Sequence, residues 1–297
     1  RPIFISTDYN HHPSALVGLS EKYNIPILAD CRSSIRYTSF FKNIITAYDY
    51  ILDAIEDQPD LIVRFGSKPI SNRLNKLLHD NQDSTYLVDS DQIFNDDCLH
   101  IIPYQEEHFI TQYSQIINAL DSQWLMQFSL KEDIVMEIIS EQYQSYKCHE
   151  GYYIHRILSY LSKDDNVIIG NSLPIRSLDR FTFNSSSGIN VATNRGASGI
   201  DGLIATSMGV SIQSGNRNAL IIGDISFFHN IGSLQHIDHD MMDLNIFILN
   251  NSGGHIFDHL DDLSSEKEYK KLWLTPSHLN IKDIATAFHC DYYHIEG

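Results

Sequence analysis

Basic residues are scarce in this chain of 297 residues. Lysine and arginine total 21 against 38 aspartates and glutamates, which gives a formal net charge of -17. Such an excess of negative charge argues against binding to nucleic acids or to anionic membranes. Cysteine is rare too: Cys31, Cys98, Cys148 and Cys290 lie far apart and form no CxxC pair. Cysteines used in this way are typical of a reducing compartment, so we expect a cytoplasmic protein.

Long apolar segments are missing as well. No stretch approaches the roughly 20 residues of a transmembrane helix, and no signal peptide is visible, so the sequence predicts no membrane insertion. An apolar content of 42% is ordinary for a globular protein, and the length is enough for two domains. The chain begins without methionine, and strand-like runs lie close to both of its ends. We therefore expect a fragment of a longer protein.

What is present is an alternation of apolar runs and helical patterns. The predicted strands are 3–7, 25–30, 61–66 and 85–89 in the first part of the chain, and 166–171, 189–193, 218–223 and 244–250 in the last part. The predicted helices are 13–23, 43–57, 69–80, 199–214 and 226–240. This alternation is typical of βαβ units around parallel sheets. The predicted fold is α/β, with two Rossmann-like parallel-sheet domains over 1–104 and 151–297, a helical connector over 105–150, and a truncated C-terminus.

Two short polar segments follow apolar runs of the second predicted domain. Gly223-Asp224-Ile225 ends one run and Asn250-Asn251-Ser252-Gly253 ends the next. If the two strands are neighbours, both segments lie at the carboxyl edge of the sheet, where α/β folds bind ligands. A carboxylate, an amide oxygen and a glycine carbonyl are hard donors that suit Mg²⁺ or Ca²⁺, and Mg²⁺ usually takes further ligands from phosphates. The spacing therefore predicts a metal-bridged diphosphate site, although a helix cap near Ser226 and a turn into Gly254 would also explain these residues.

Two more segments follow strands of the same predicted sheet. Residues 194–202, NRGASGIDG, place three glycines and Arg195 after a strand, and residues 171–176, NSLPIR, place Ser172 and Arg176 one helical turn apart. Glycines let the backbone approach a ligand, and arginine suits a carboxylate. The glycine pattern is GxxGxxG rather than GxGxxG, so NAD binding is not predicted. Both segments could instead be turns into capped helices, with Ser198 as the cap of the first.

Histidine is abundant, with 15 residues, but the sequence does not predict zinc. His255 and His259 have the i,i+4 spacing of a zincin helix, yet the glutamate of HExxH is absent. His236 and His239 lie on a predicted helix beside acidic residues, which is typical of a solvated face.

Together NRGASGIDG, the Gly-Asp-Ile-Ser segment at 223–226 and Asn-Asn-Ser-Gly-Gly at 250–254 resemble the thiamine-diphosphate enzymes that are 2-succinyl-5-enolpyruvyl-6-hydroxy-3-cyclohexene-1-carboxylate synthases. NSLPIR lies where that family has a similar segment. The resemblance is strong over 151–260 and weaker over 1–104. It implies that 151–297 is the thiamine-diphosphate and metal-binding domain and that 1–104 is the central domain.

The resemblance implies a role for particular residues of this chain. Asp224, Asn251 and the Gly253 carbonyl would hold Mg²⁺ or Mn²⁺. Contacts to thiamine diphosphate would come from Ala197, Ile200, Ile225 and Ser226, and also from Asp224 and Asn251. The substrate pocket would be lined by Ser172, Arg176, Arg195, Phe257, Leu260 and Arg73. The run after Asn-Asn-Ser-Gly-Gly, which contains Phe257 and Leu260, departs from the usual family pattern.

The resemblance also implies an activity and partners. The family decarboxylates 2-oxoglutarate and adds the succinyl carbanion equivalent to isochorismate in menaquinone biosynthesis, as a homodimer or homotetramer. Its activating glutamate lies in an N-terminal pyrimidine-binding domain that we do not find in this sequence, so no catalytic residue is assigned and the chain alone is expected to be inactive. The alternatives are another thiamine-diphosphate 2-oxo-acid decarboxylase or carboligase, and a non-catalytic scaffold of the same fold.

Overall fold

The computed structural model describes residues 1–8, 13–90, 96–114, 121–147, 149–238, 240–259 and 268–295. The chain divides into two compact units, Arg1–Tyr146 with Leu178–Ile189, and Lys147–Ser177 with Asn190–Gly297. In the described residues each unit contains one parallel sheet accompanied by helices. The predicted α/β class with two parallel sheets is therefore confirmed. The boundaries at 104 and 150 stay a prediction.

The sheet of the first unit has the strand order β3-β2-β1-β4-β5-β6 in the described part of the chain, with each neighbouring pair parallel. Its strands are β1 (Pro2–Ser6), β2 (Ile27–Ala29), β3 (Ile44–Ile45), β4 (Leu61–Phe65), β5 (Thr85–Val88) and β6 (His100–Ile102). Its first five helices are α1 (Pro13–Tyr23), α2 (Tyr48–Ile51), α3 (Asn72–Asp80), α4 (Glu106–Tyr113) and α5 (Ser122–Ser145).

Both faces of this first sheet are covered. Because successive residues of a strand point to opposite faces, Phe4 of β1 packs in one apolar cluster with Phe109 of α4, while Ile5 packs in another with Trp124 of α5. The Trp124 indole nitrogen also donates a hydrogen bond to the Pro2 carbonyl over 2.8 Å. The helices found within the predicted connector, α4 and α5, thus complete the core of the first unit.

The second unit has the sheet order β10-β9-β7-β8 in the residues described, again with parallel neighbours. Its strands are β7 (Asn166–Ile169), β8 (Asn190–Thr193), β9 (Asn218–Gly223) and β10 (Leu244–Leu249). The helices in this part of the chain are α6 (Glu150–Ser159), α7 (Leu173–Phe181), α8 (Leu203–Ser214), α9 (Asp224–His229) and α10 (Ile281–Ala287). Strands β7 and β9 bury every apolar side chain they carry, as expected of central parallel strands.

Two predicted helices are wrong in part. The segment 43–57 begins with the short strand β3, because the β-branched Ile44 and Ile45 are buried and pair with β2. The helix predicted over 226–240 ends at His229, and a 3₁₀ helix, Ile231–His236, follows it. The Asn230 side chain donates hydrogen bonds to the carbonyls of Ser226 and Ile200, both over 2.6 Å, and so turns the chain at that point. Strand β6 was not predicted.

Among the helices of the described residues, none is both long enough and apolar enough to cross a membrane.

Candidate functional site

The two polar segments that follow β9 and β10 lie side by side. The strands pair in parallel with Gly223 opposite Leu249, so Asp224 and residues 250–253 emerge from the same edge of the sheet. The condition set by the sequence, that these strands be neighbours, is therefore met.

Asp224 is the first residue of α9 and is 3% exposed. Burial raises the pKa of its carboxyl group, and hydrogen bonds from the backbone N–H groups of Ile225 and Gly253 partly oppose that effect. The helix cap is Gly223 rather than a side chain, and it makes no side-chain capping bond. The capping interpretation of this segment is therefore wrong, and the contact with Gly253 links Asp224 to the loop after β10.

Asn251 presents an acceptor that nothing in the described residues uses. Its amide nitrogen Nδ2 donates to Oε1 of Glu150 over 3.3 Å. Its amide oxygen Oδ1 is buried and has no hydrogen-bond partner in the described part of the chain. A buried polar atom without a partner costs free energy, about 1–3 kcal/mol, so such an atom marks a place for a ligand.

Gly253 has a backbone that only glycine adopts readily, with φ of 145°. A Cβ built on it would lie 2.6 Å from the backbone oxygen of Leu274, and the same oxygen accepts a hydrogen bond from the N–H of Gly254 over 2.8 Å. The carbonyl of Gly253 accepts one hydrogen bond, from the N–H of His255 at 3.0 Å. A carbonyl oxygen has two lone pairs, so one remains for a cation.

These donors fit a hard divalent cation. A buried carboxylate, an unpaired amide oxygen and a carbonyl with a spare lone pair come from two adjacent strand ends, and such oxygens suit Mg²⁺ or Mn²⁺ rather than zinc. The roles of Asp224, Asn251 and Gly253 as metal ligands remain a prediction that this geometry favours.

The glycine-rich loop 194–202 lies against the segment after β7. Asn171 Nδ2 donates to the carbonyl oxygens of Asn194 over 3.0 Å and Gly199 over 2.6 Å, and its Oδ1 accepts from Nη1 of Arg195 at 3.3 Å. The loop then enters α8 through Gly202, whose φ is 73°. Ser198 does not cap this helix, as the alternative interpretation required, and its hydroxyl donates to the Arg195 carbonyl instead.

Ser172 and Arg176 lie together, as the one-turn spacing predicts. Arg176 Nη1 donates to the Ser172 carbonyl over 2.7 Å at the start of α7. Ala197 is exposed on the neighbouring loop, while Arg176, Arg195 and Ile200 are each half-buried. The two guanidinium groups thus belong to segments that Asn171 joins, although a shared substrate pocket remains a prediction.

The other predicted site residues have mixed positions. Ile225 is half-buried and Ser226 is buried in α9. Phe257 packs edge-on against Trp273 at a ring separation of 5.1 Å. Leu260 lies outside the described residues. Arg73 belongs to the first unit, where its Nη1 donates to the Asp49 carbonyl over 2.6 Å and pairs with Asp53 at 2.9 Å, so its role in a substrate pocket stays a prediction.

Sequence reasoning missed Glu150, which it assigned to the end of the connector. The residue opens α6, and its carboxylate accepts hydrogen bonds from Asn251 and from Ser177 Oγ, the latter at 3.0 Å. Burial raises the pKa of Glu150. No local motif marks it, because its partner Asn251 lies 101 positions away.

Comparison with known families agrees with this geometry. Residues 180–296 match the model described as "Thiamine pyrophosphate enzyme, C-terminal TPP binding domain". Strands β8, β9 and β10 and the two polar segments that follow β9 and β10 thus lie in a segment similar to the cofactor-binding domain of thiamine-diphosphate enzymes.

The particular relatives are 2-succinyl-5-enolpyruvyl-6-hydroxy-3-cyclohexene-1-carboxylate synthases. The chain is 28% identical to that of Lysinibacillus sphaericus (strain C3-41), over 91% of this chain and 49% of the relative. It is 31% identical to that of Listeria monocytogenes serovar 1/2a (strain ATCC BAA-679 / EGD-e), over 95% of this chain and 50% of the relative. The resemblance predicted from the sequence is confirmed, and the chain spans about half the length of the curated relatives it matches.

Proposed function

We propose that the second unit binds thiamine diphosphate through a divalent cation held by Asp224, Asn251 and Gly253. The observation that carries the proposal is the buried Asn251 Oδ1, which has no partner in the described residues. It lies in the same loop as Gly253, whose backbone N–H partly offsets the raised pKa of the buried Asp224 carboxyl group. A Mg²⁺ or Mn²⁺ ion would satisfy the unpaired oxygen and neutralise the carboxylate together.

Within the whole protein, we propose the reaction that the family resemblance implies: decarboxylation of 2-oxoglutarate and addition of the resulting four-carbon unit to isochorismate. Thiamine diphosphate supplies the electron sink for such chemistry. The residues of this chain would bind and orient. Arg176 and Arg195 offer planar, bidentate donors to substrate carboxylates. The resemblance also implies substrate contacts for Ser172, Phe257, Leu260 and Arg73.

Cofactor contacts beyond the metal are proposed from the resemblance. Ile225 and Ser226, directly after Asp224, would lie against the diphosphate, while Ala197 and Ile200 would face the cofactor rings. Asn230 supports this arrangement, because its side chain bonds to the carbonyls of both Ile200 and Ser226. One amide thus links the loop after β8 to the helix after β9.

The remaining parts of the proposal concern the whole protein in its cell: a cytoplasmic homodimer or homotetramer that takes part in menaquinone biosynthesis. The identity of the relatives favours this synthase over another 2-oxo-acid decarboxylase or carboligase. Product analysis of the whole protein with 2-oxoglutarate, with and without isochorismate, separates the two, because a simple decarboxylase would not consume isochorismate.

Cofactor binding can be tested on the chain itself. We expect thiamine diphosphate titrated calorimetrically to bind with Mg²⁺ present and far more weakly with a chelator. Asp224→Ala removes a charged ligand, and a contact to a charged group contributes about 1.5–3 kcal/mol, so affinity should fall about 10- to 150-fold.

The matched control is Asp243→Ala, which makes the same change at an exposed position before the opposite end of β10 and should bind like the parent. Binding that is indifferent to Mg²⁺, or equal in the Asp224 and Asp243 variants, would contradict the proposal.

A further inference from the structure

Glu150 holds one end of the Asn251 amide. Its Oε1 accepts from Asn251 Nδ2 at 3.3 Å and its Oε2 accepts from Ser177 Oγ at 3.0 Å. The residue begins α6, whose N-cap is the side chain of His149, bonded to the Gly151 N–H over 3.0 Å. The position of Glu150 is therefore set by its helix and by Ser177, independently of its contact with Asn251.

This contact decides which way the amide faces. An ionised carboxylate only accepts hydrogen bonds, whereas an amide has a donor end and an acceptor end. Next to Glu150 the donor end of Asn251 must face the carboxylate, so Oδ1 must face away. That oxygen is the one left buried without a partner in the described residues.

A cation at the strand ends would also account for where Glu150 lies. One hydroxyl and one amide are modest compensation for a half-buried carboxylate. A divalent cation bound by Asp224 and Asn251 would add an attraction to this negative charge.

We propose that Glu150 is a positioning residue, which presents Asn251 Oδ1 to the metal that carries thiamine diphosphate. The inference rests on the proposed function, since it needs a cation at the end of β9 and β10. Residues that orient metal ligands in this way typically contribute about 10- to 100-fold to metal affinity.

The test uses two variants of the chain, E150Q and the double variant E150Q/N251D, beside a control. In E150Q the new amide can donate to Asn251 Oδ1 and so turn the ligand away from the metal. We expect the Kd for Mg²⁺, titrated at fixed thiamine diphosphate, to rise about 10- to 100-fold. The melting temperature without metal should stay close to that of the parent, since the change is isosteric.

The double variant separates orientation from packing. The glutamine at position 150 can donate to one oxygen of the carboxylate at position 251, and the other oxygen then faces the metal. The double variant should therefore bind Mg²⁺ at least tenfold more tightly than E150Q alone, which is the lower end of the effect typical of residues that orient a metal ligand.

Mn²⁺ binding counted by electron paramagnetic resonance gives a second readout that does not depend on turnover. E137Q is the control, because it makes the same change at an exposed position of α5, so Mg²⁺ binding should be unchanged.

The outcomes are distinguishable. If the parent chain binds thiamine diphosphate without regard to Mg²⁺, the proposed function itself fails. If the parent depends on Mg²⁺ but E150Q binds it equally well, the role of Glu150 is overturned. It is also overturned if E150Q loses metal-free stability along with affinity and the double variant recovers neither.

Discussion

Gly253→Ala would place one methyl group where the strand-end site has no room for it. The backbone at this position has φ of 145°, and the new Cβ would lie 2.6 Å from the Leu274 carbonyl oxygen. The atom that the new Cβ would meet belongs to the backbone and not to a flexible side chain, so the contact can be relieved only by moving the segment Lys270–Leu274.

The size of the effect follows from two terms. A residue held in such a backbone region costs about 1–3 kcal/mol, and a methyl group forced into a packed contact costs about 1–3 kcal/mol more. If the loop keeps its shape, the total of about 2–6 kcal/mol appears as lost stability of the second unit. If the loop changes shape instead, the same free energy is spent when metal binding restores the position of Gly253, and it appears as lost affinity. At the lower end, 2 kcal/mol is about a 30-fold change in Kd.

Two measurements on the same samples capture both possibilities. Hydrogen exchange of β9 and β10 amides without metal reports the local stability of the second unit. Calorimetric titration with thiamine diphosphate at saturating Mg²⁺ reports affinity. We expect the two losses to sum to at least about 2 kcal/mol.

Gly209→Ala is the matched control, because this glycine lies within α8 and a Cβ there would meet nothing within 4 Å. It should leave affinity unchanged and stabilise the helix by about 0.5–1 kcal/mol. If Gly253→Ala shows neither weaker binding nor faster exchange while the control behaves as stated, the Leu274 contact does not shape the loop and the reasoning is refuted.

Three further substitutions probe the scaffold by hydrogen exchange. Ser71→Ala removes the side-chain cap of α3 and should destabilise that helix by about 1 kcal/mol; unchanged α3 exchange would contradict this. Asn171→Ala removes two hydrogen bonds to loop carbonyls and should speed exchange over 194–202 by the equivalent of about 1–3 kcal/mol, with β7 unaffected. In the parent chain the buried Glu132 carboxylate accepts hydrogen bonds from backbone N–H groups such as that of Ala47. Glu132→Gln would turn a donor toward these N–H groups and should lower the free energy of unfolding of the first unit by about 1–3 kcal/mol. Equal stability would show that the pocket accepts either end of the amide.

Most of the fold could be predicted from the sequence, because the periodicity of apolar residues is a local property. Runs such as 218–223 and 166–171 are too apolar and too short for anything but buried strands, and the structure has β9 and β7 there. The helical pattern near 13–23 begins at proline, and α1 covers those residues. The wrong predictions have local causes as well. Ile44 and Ile45 were included in a predicted helix, although they are buried and pair with β2 as a strand.

The candidate site was predictable only in part, for a different reason. Asp224 and Asn251 each follow an apolar run, so the topology of parallel sheets is enough to bring them to one edge. Asn171 holds its loop through three side-chain hydrogen bonds, and Glu150 contacts Asn251 through one, all of them across 23 or more positions of sequence. Nothing in composition or spacing encodes such a bond, because either residue would look the same on a solvated surface.

The three proposed metal ligands have different supports. Asp224 begins α9 directly after β9, Asn251 contacts Glu150, and Gly253 is confined by the backbone of Leu274. Only the first support lies within the motif that marks the ligands. If the proposed cation binds here, a relative could keep the Gly-Asp and Asn-Asn-Ser-Gly segments and still bind it weakly when Glu150 or the 270–274 segment differs. The motif would then not be sufficient for the site, and Glu150 is the position at which a motif-bearing chain should first be inspected.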